Sequence, residues 1–116
     1  MADVFVGVCW QEADKVADVG LRALCEDLQQ LAYRSKEKST SDKYSAAFSR
    51  WRRWTNKFPE VEALPAKPLH VAAYLNHLSK ISGFSAVETA FYSISWFHKL
   101  ADVSDPTDHS LPRLVK

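Results

Sequence analysis

Apolar residues recur along the chain at the three- and four-residue spacing of one helical face. Four leucines spaced in this way predict a first helix over about residues 14–33, and five aromatic residues predict a second helix over residues 39–58. The leucines are Leu21, Leu24, Leu28 and Leu31, and the aromatic residues are Tyr44, Phe48, Trp51, Trp54 and Phe58.

Two further helices follow a proline-rich segment, "PEVEALPAKP", which occupies residues 59–68 and predicts a loop. Pro68 suits a first helical turn, and an apolar stripe from Val71 to Ile81 predicts a third helix that ends before Gly83. Apolar positions between Val87 and Ala101 predict a fourth helix over residues 85–101. The sequence therefore predicts an all-α fold, a compact bundle of four main helices.

Both ends of the chain are harder to assign. The first ten residues have no clear period, and we expect a partly ordered arm that packs through Val4, Phe5 and Trp10. Residues 1–20 then form this arm and the start of the first helix, and residues 21–116 form the single domain. The final "RLVK" predicts the start of a short C-terminal element.

Two helix starts carry capping sequences. "STSD" at residues 39–42 offers hydroxyls for the free amides of the second helix, and "SAVE" at residues 85–88 matches a capping box for the fourth.

Composition restricts the class of protein. The 116 residues are 47% hydrophobic and 25% charged, which is typical of a globular domain that buries a core without disulfide bonds or structural metal ions. Cys9 and Cys25 form no metal or disulfide motif and predict free thiols in a reducing compartment. The longest apolar run is too short to cross a membrane and Asp3 stands where a signal peptide would be basic, so we expect an intracellular protein.

The net charge of +1 is unevenly distributed. Residues 1–33 hold six acids and two bases, a net −4, and residues 34–57 hold eight bases and two acids, a net +6. Residues 58–116 hold six acids and five bases, a net −1. This concentration predicts a local positive field on a nearly neutral protein.

The second helix separates its aromatic residues from its bases. At about 100° per residue, the aromatic stripe faces a core and a second stripe faces away from it. The second stripe contains Lys43, Ala46, Arg50, Arg53 and Lys57. Such a face is often only a solvated surface, but no acid lies between Lys43 and Lys57, and solvated surfaces usually mix both signs. Phosphate is the partner that this pattern favours.

The fourth helix has an outward face of a different kind, which is small, hydroxylated and aromatic. It contains Ser85, Thr89, Tyr92 and Trp96. One interpretation is a second helix that enters a nucleic-acid groove with its N-terminus towards phosphate. The other interpretation is packing against the N-terminal helix, above all for Trp96.

Three segments in this order resemble a known family. "KSTSDKYSAAFSRWRRWTNKF", "LPAKPLHVAAYLNHLSKISG" and "SAVETAFYSISWFHKLADVSDPT" look like the core-binding domain of tyrosine recombinases, the SAM-like N-terminal module of phage integrases and Cre-type enzymes. The same module occurs in eukaryotic mobile elements of the DIRS and Crypton kinds. The resemblance covers residues 21–116 and rests on order and spacing rather than on one specific motif.

The resemblance implies a module that forms half of a clamp around double-stranded DNA, with the second and fourth helices at the major groove. By position, the DNA-binding residues are Thr40, Lys43, Ala46, Ser49 and Arg50 of the second helix and Ser85, Glu88 and Thr89 of the fourth. Arg53 and Lys57 extend the basic stripe by helical geometry alone. Glu88 departs from a phosphate-binding pattern unless it caps its helix or accepts a hydrogen bond from a cytosine amino group.

The resemblance also implies an oligomeric state, a cellular location and the absence of catalytic residues from this chain. The first and last helices of such modules join neighbouring subunits on DNA, which implies a homo-oligomer, and a eukaryotic source implies the nucleus. The family's catalytic residues follow this module, and no histidine here begins His-x-x-Arg. His70 and His77 lie seven residues apart, too far to share a metal, while His98 predicts a hydrogen-bonded core residue. We therefore expect no catalytic residue, metal, cofactor or small-molecule substrate in this chain.

Two other hypotheses fit the same sequence. The leucine face of residues 21–31, or an exposed Trp96, would dock a partner helix in a protein-interaction domain. The second hypothesis is a domesticated element that keeps DNA binding without recombination.

Overall fold

The computed structural model describes residues 4–116, and this part of the chain contains helices and no strand. The α-helices are α1 (Val8–Asp14), α2 (Val19–Tyr33), α3 (Lys38–Thr55), α4 (Pro68–Ile81), α5 (Phe84–Ala101) and α6 (Ser110–Val115), with a 3₁₀ helix at Pro106–Asp108. The predicted all-α bundle of four long helices with a short C-terminal element is confirmed, and α1 is an additional short helix.

The core is organised around α5, whose second half is almost entirely buried. It packs against α3 through Phe48 and Phe97, whose rings stack with centroids 4.4 Å apart. Ser93 adds a polar link, since its hydroxyl donates to the carbonyl of Tyr44 over 2.6 Å. Helix α4 covers the neighbouring side of α5 and buries Val71, Tyr74 and Leu75.

The N-terminal residues differ from the predicted single helix over residues 14–33. Helix α1 ends at Asp14, and α2 begins after Asp18, whose carboxylate accepts from the Leu21 amide over 2.8 Å. The connection is held by Arg22, which donates to the carbonyls of Val16 and Asp14. Residues 15–18 are therefore a turn, because Asp18 caps a new helix there.

The start of the described chain packs as expected. Val4 is buried in the core, and the rings of Phe5 and Trp10 meet edge to face at 5.0 Å. The indole Nε1 of Trp10 donates to the Leu100 carbonyl over 2.7 Å. This contact ties the N-terminal segment to the end of α5.

The predicted loop between α3 and α4 is present and is anchored at two points. Trp51, which has no exposed surface, donates through Nε1 to the Ala63 carbonyl over 2.9 Å. His98 accepts from the Ala66 amide, which confirms it as a hydrogen-bonded core histidine. Pro68 occupies the first turn of α4, as predicted.

The helix ends differ in detail from the sequence expectations. Helix α3 starts at Lys38 and ends at Thr55, so residues 56–58 lie in the following turn instead of the helix. Glu37 is the N-cap of α3 and Gly83 that of α5, and no side chain caps either helix. Both predicted capping sequences are wrong, because each lies inside a helix that begins one residue earlier.

Candidate nucleic-acid interface

The core contacts of α3 fix which of its side chains face outward. Phe48 and Trp51 are buried, and this sets the rotation of the helix about its axis. The opposite side chains are exposed, as the predicted stripe requires, and Thr40 near the start of the helix is half-buried. The exposed residues are Lys43, Ala46, Ser49, Arg50, Arg53 and, in the turn after the helix, Lys57.

The cations of this face lack carboxylate partners within residues 4–116. The ion pairs there join Lys38 to Asp42, Lys99 to Asp105 and Arg113 to Asp108. None of them includes Lys43, Arg50, Arg53 or Lys57. A basic surface without counterions has a positive potential that attracts polyanions.

Three of these bases also form one wall of a cleft. Arg50, Arg53 and Lys57 face the end of α4 and the start of α5 across a space of about 440 Å³. The other lining residues are Ala47, Trp54, Tyr74, His77, Leu78, Ile81, Ser82, Ala86 and Ala90. The basic stripe therefore lies beside a concave surface, which helical geometry alone does not predict.

The floor of the cleft is aromatic. Trp54 contacts Tyr74 with ring centroids 5.1 Å apart, and it stacks against His77 at 6.3 Å with an angle of 29° between the planes. Burial raises the pKa of Tyr74 above its ordinary value of 10.0, while the charges of Arg50 and Arg53 oppose that rise. Arg50, Arg53 and Tyr74 all line this cleft.

His77 is the cleft residue that the sequence analysis did not assign to a site. It lies three residues after Tyr74, at the edge of the buried stripe of α4. A polar residue at that position borders the contact between two helices. This placement is the sequence feature that could have indicated a role for His77 in a site. Its position opposite the bases of α3 depends on how α4 packs and is not visible in local periodicity.

The start of α5 reaches the same region through small residues. Gly83 has a φ of 93°, a conformation that favours glycine, and it precedes the first turn of the helix. Ser85 is exposed, and Glu88 and Thr89 are half-buried. Burial raises the pKa of the nearby Tyr44, with smaller contributions from Tyr92 and from the charge of Glu88. The N-cap of α5 is Gly83 and no side-chain hydrogen bond caps this helix, so Glu88 does not act as its cap.

The outward face of α5 is shorter than predicted. Trp96 is buried and packs between Tyr33 of α2 and Tyr44 of α3, with centroid distances of 5.6 and 5.8 Å. Tyr92 is exposed, and its hydroxyl accepts from Lys116 over 2.6 Å. The interpretation of Trp96 as a packing residue is confirmed, and an exposed Trp96 that docks a partner is wrong.

Comparisons of the chain with protein-family models, curated proteins and solved structures gave no match. Within residues 4–116, no helix is both long and apolar enough to span a bilayer. In the same residues, no group of three or more histidine, cysteine, aspartate or glutamate side chains could hold a metal ion.

Proposed function

We propose that this chain is a duplex DNA-binding module of the core-binding, SAM-like kind that tyrosine recombinases carry before their catalytic domain. The observation that supports the proposal best is the exposed cationic face of α3. Its bases have no carboxylate partner within residues 4–116, and no acid lies between positions 43 and 57. A surface of this kind gains affinity by releasing counterions from a polyanion.

In this proposal, phosphate contacts supply most of the affinity. Lys43, Arg50, Arg53 and Lys57 bind the backbone, while Ala46 and Ser49 allow close approach of the helix to a groove. The hydroxyls of Thr40, Ser85 and Thr89 add polar contacts. Glu88 is the acceptor for a cytosine amino group.

The small net charge of +1 suggests that a further domain supplies part of the affinity. The proposed chain binds DNA and performs no chemistry, so recombination would require the family's arginines, His-x-x-Arg and tyrosine elsewhere in the protein. A domesticated, recombinase-derived protein that lacks those residues would keep the binding alone.

The test is a titration of mixed-sequence duplex DNA followed by fluorescence anisotropy at several salt concentrations. We expect weak binding that falls steeply between about 50 and 200 mM salt. Arg53→Ala should weaken binding to all sequences similarly and lower the salt slope by about one. Lys15→Ala, which removes an exposed cation in the turn after α1, is the matched control and should leave the slope unchanged. Affinity that does not depend on salt would contradict the proposal.

A second candidate function is a protein-interaction domain, and the exposure of α2 favours it. This helix buries no residue, and its four leucines are exposed by 50% to 67%. A contiguous apolar stripe of this kind is typical of a helix that docks a partner. The DNA-binding hypothesis accommodates the same stripe as a contact between subunits, since the resemblance implies such contacts for the first helix.

Sedimentation at several protein concentrations, with and without duplex, separates the two candidates. Leu24→Gln combined with Leu28→Gln should abolish any self-association and leave the fold intact, because both leucines are exposed. Ala23→Gln, at an exposed neighbouring position of α2, is the control. Self-association without any DNA binding at low salt would favour the interaction domain.

A further inference from the structure

We infer that the cleft between α3 and α4 seats a backbone phosphate, and that His77 binds it from the α4 side. This inference rests on the proposed function and adds a binding site that neither the basic stripe nor the resemblance assigns. The ligand chemistry is a phosphate ester, and the nucleic-acid backbone is the source that the rest of the interface favours.

The charge distribution in the cleft favours an anion. Arg50, Arg53 and Lys57 line one wall, and none of the lining residues is acidic. Arg50 and Arg53 are exposed, and both line the same cleft as the buried Tyr74. Like charges gathered along one wall repel one another, and salt screens this repulsion only in part at short separations. A phosphate in the cleft would offset that repulsion.

His77 is held where it can complete the site. Its ring stacks on Trp54, which limits its motion, yet the residue is exposed and lines the cleft opposite the bases of α3. A neutral imidazole donates one hydrogen bond and a protonated imidazole donates two, so either form can bind a phosphate oxygen. Ser82, the C-cap of α4, also lines the cleft.

The floor favours a phosphate over a stacked base. Trp54 is the largest aromatic residue in the cleft, but it already contacts Trp51, Phe58, Tyr74 and His77. A base that stacked on Trp54 would compete with these ring contacts. The small side chains of Ala47, Ala86 and Ala90 line the same cleft, which has a volume of about 440 Å³.

The first experiment compares duplex affinity at constant salt. His77→Ala should weaken binding roughly three- to tenfold, which corresponds to the net contribution of one ordinary hydrogen bond. Asn76→Ala is the matched control, because Asn76 is exposed on α4 and lines a different groove. Circular dichroism checks that both variants are folded. If the native protein binds duplex and His77→Ala binds equally well, the inference fails while the proposed function stands.

The second experiment does not require DNA binding. The Cε1 proton of His77, assigned by its absence in the spectrum of His77→Ala, is followed by NMR during titration with inorganic pyrophosphate. We expect a saturable shift that sodium chloride of the same ionic strength does not produce, and that Arg53→Ala weakens. If the native protein does not bind duplex DNA but pyrophosphate shifts the His77 proton, the proposed function fails and the cleft remains an anion site. The absence of a specific pyrophosphate shift overturns the inference.

Discussion

The imidazole of His98 and the backbone amide of Ala66 join two parts of the chain that are 32 residues apart, with 2.9 Å between the amide nitrogen and Nε2. Because Nε2 accepts this bond, the proton of the neutral ring is on Nδ1, which donates to the Ile94 carbonyl over 2.7 Å. Both ring nitrogens are therefore paired in the core only while the ring is neutral.

The stability of the fold should consequently decrease in mild acid. Burial lowers the pKa of His98 below its ordinary value of 6.5, although the Ile94 hydrogen bond and the charge of Asp105 oppose that shift. The unfolded chain then takes up a proton more readily than the folded chain, so the stabilisation is complete above pH 6.5 and is lost as the pH falls towards the lower folded pKa. Urea unfolding at pH 7.5, 6.5 and 5.5 measures this loss.

His98→Gln is the variant that isolates the effect. It should be less stable than the native protein by roughly 2–4 kcal/mol at pH 7.5, because a buried amide and carbonyl lose a well-placed partner. Its free energy of unfolding should change less between pH 7.5 and 5.5, since the titrating group is gone. Equal pH dependence in the two proteins would show that His98 is not responsible.

The outcome for His98 illustrates what local periodicity predicts well. A histidine on an apolar stripe is expected in the core, and the aromatic and basic stripes of α3 follow from the same geometry. The break between α1 and α2 was missed although Asp18 is a favourable N-cap, because the leucine spacing begins only at Leu21. The capping sequences also predicted the wrong N-terminal ends for α3 and α5, whose N-caps are Glu37 and Gly83.

Only part of the candidate site can be predicted from the sequence. Arg50, Arg53 and Lys57 were predicted from one helix, since a single helical period places them on one face. His77 and the cleft depend on how α4 packs against α3, a tertiary relationship that no spacing within either helix encodes. Trp96 was ambiguous for the same reason, because only the position of Tyr33 and Tyr44 decides that it is covered.

Two tryptophans anchor different parts of the chain through the same kind of hydrogen bond, and they should differ in their contribution to stability. Trp51→Phe removes the hydrogen bond of a fully buried indole to Ala63 and leaves a void, so it should cost roughly 2–4 kcal/mol. Trp10→Phe removes the bond to Leu100 at a half-buried position and should cost roughly 1–2 kcal/mol. Urea unfolding followed by circular dichroism gives both values. The reverse order would contradict the assignment of Trp51 to the core.

Gly7 lies against the end of α5 so closely that no side chain fits. Its amide donates to the Ala101 carbonyl over 2.7 Å, and an added Cβ would overlap the carbonyl oxygens of Ala101 and Asp102. Gly7→Ala should therefore separate residues 4–10 from α5 and reduce stability by roughly 1–3 kcal/mol. Hydrogen exchange of the Trp10 indole N–H, measured by NMR, should become much faster.

Gly20→Ala is the control for this change. Gly20 lies in the first turns of α2, and the nearest atom to an added Cβ is the Asp18 carboxylate at 3.4 Å. An alanine there should be neutral or should stabilise the protein by up to about 1 kcal/mol, since alanine favours the helix. A Gly7→Ala variant with native stability and slow indole exchange would show that the close approach is not required.

Asp105 connects the end of α5 to the 3₁₀ helix and should protect the fold in acid. One of its oxygens accepts from Ser95 over 2.7 Å, and the other accepts from the amide and hydroxyl of Thr107 over 2.9 and 2.7 Å. Burial alone would raise the pKa of Asp105, but these hydrogen bonds and the nearby Lys99 outweigh it and hold the pKa below the ordinary value of 3.8. This stabilisation is present above pH 3.8 and is lost as the pH falls through the lower folded pKa.

Asp105→Ala should be less stable than the native protein by roughly 2–4 kcal/mol at pH 7, because two buried hydroxyls and an amide lose their acceptor. Asp108→Ala removes an exposed carboxylate 3.7 Å from Arg113 and should cost less than about 1 kcal/mol. Below pH 3.8 the difference between Asp105→Ala and the native protein should shrink, since protonation weakens the same contacts. Thermal unfolding at pH 7 and at pH 3 measures both effects, and a gap that stays constant between them would assign the loss to packing instead of to the carboxylate.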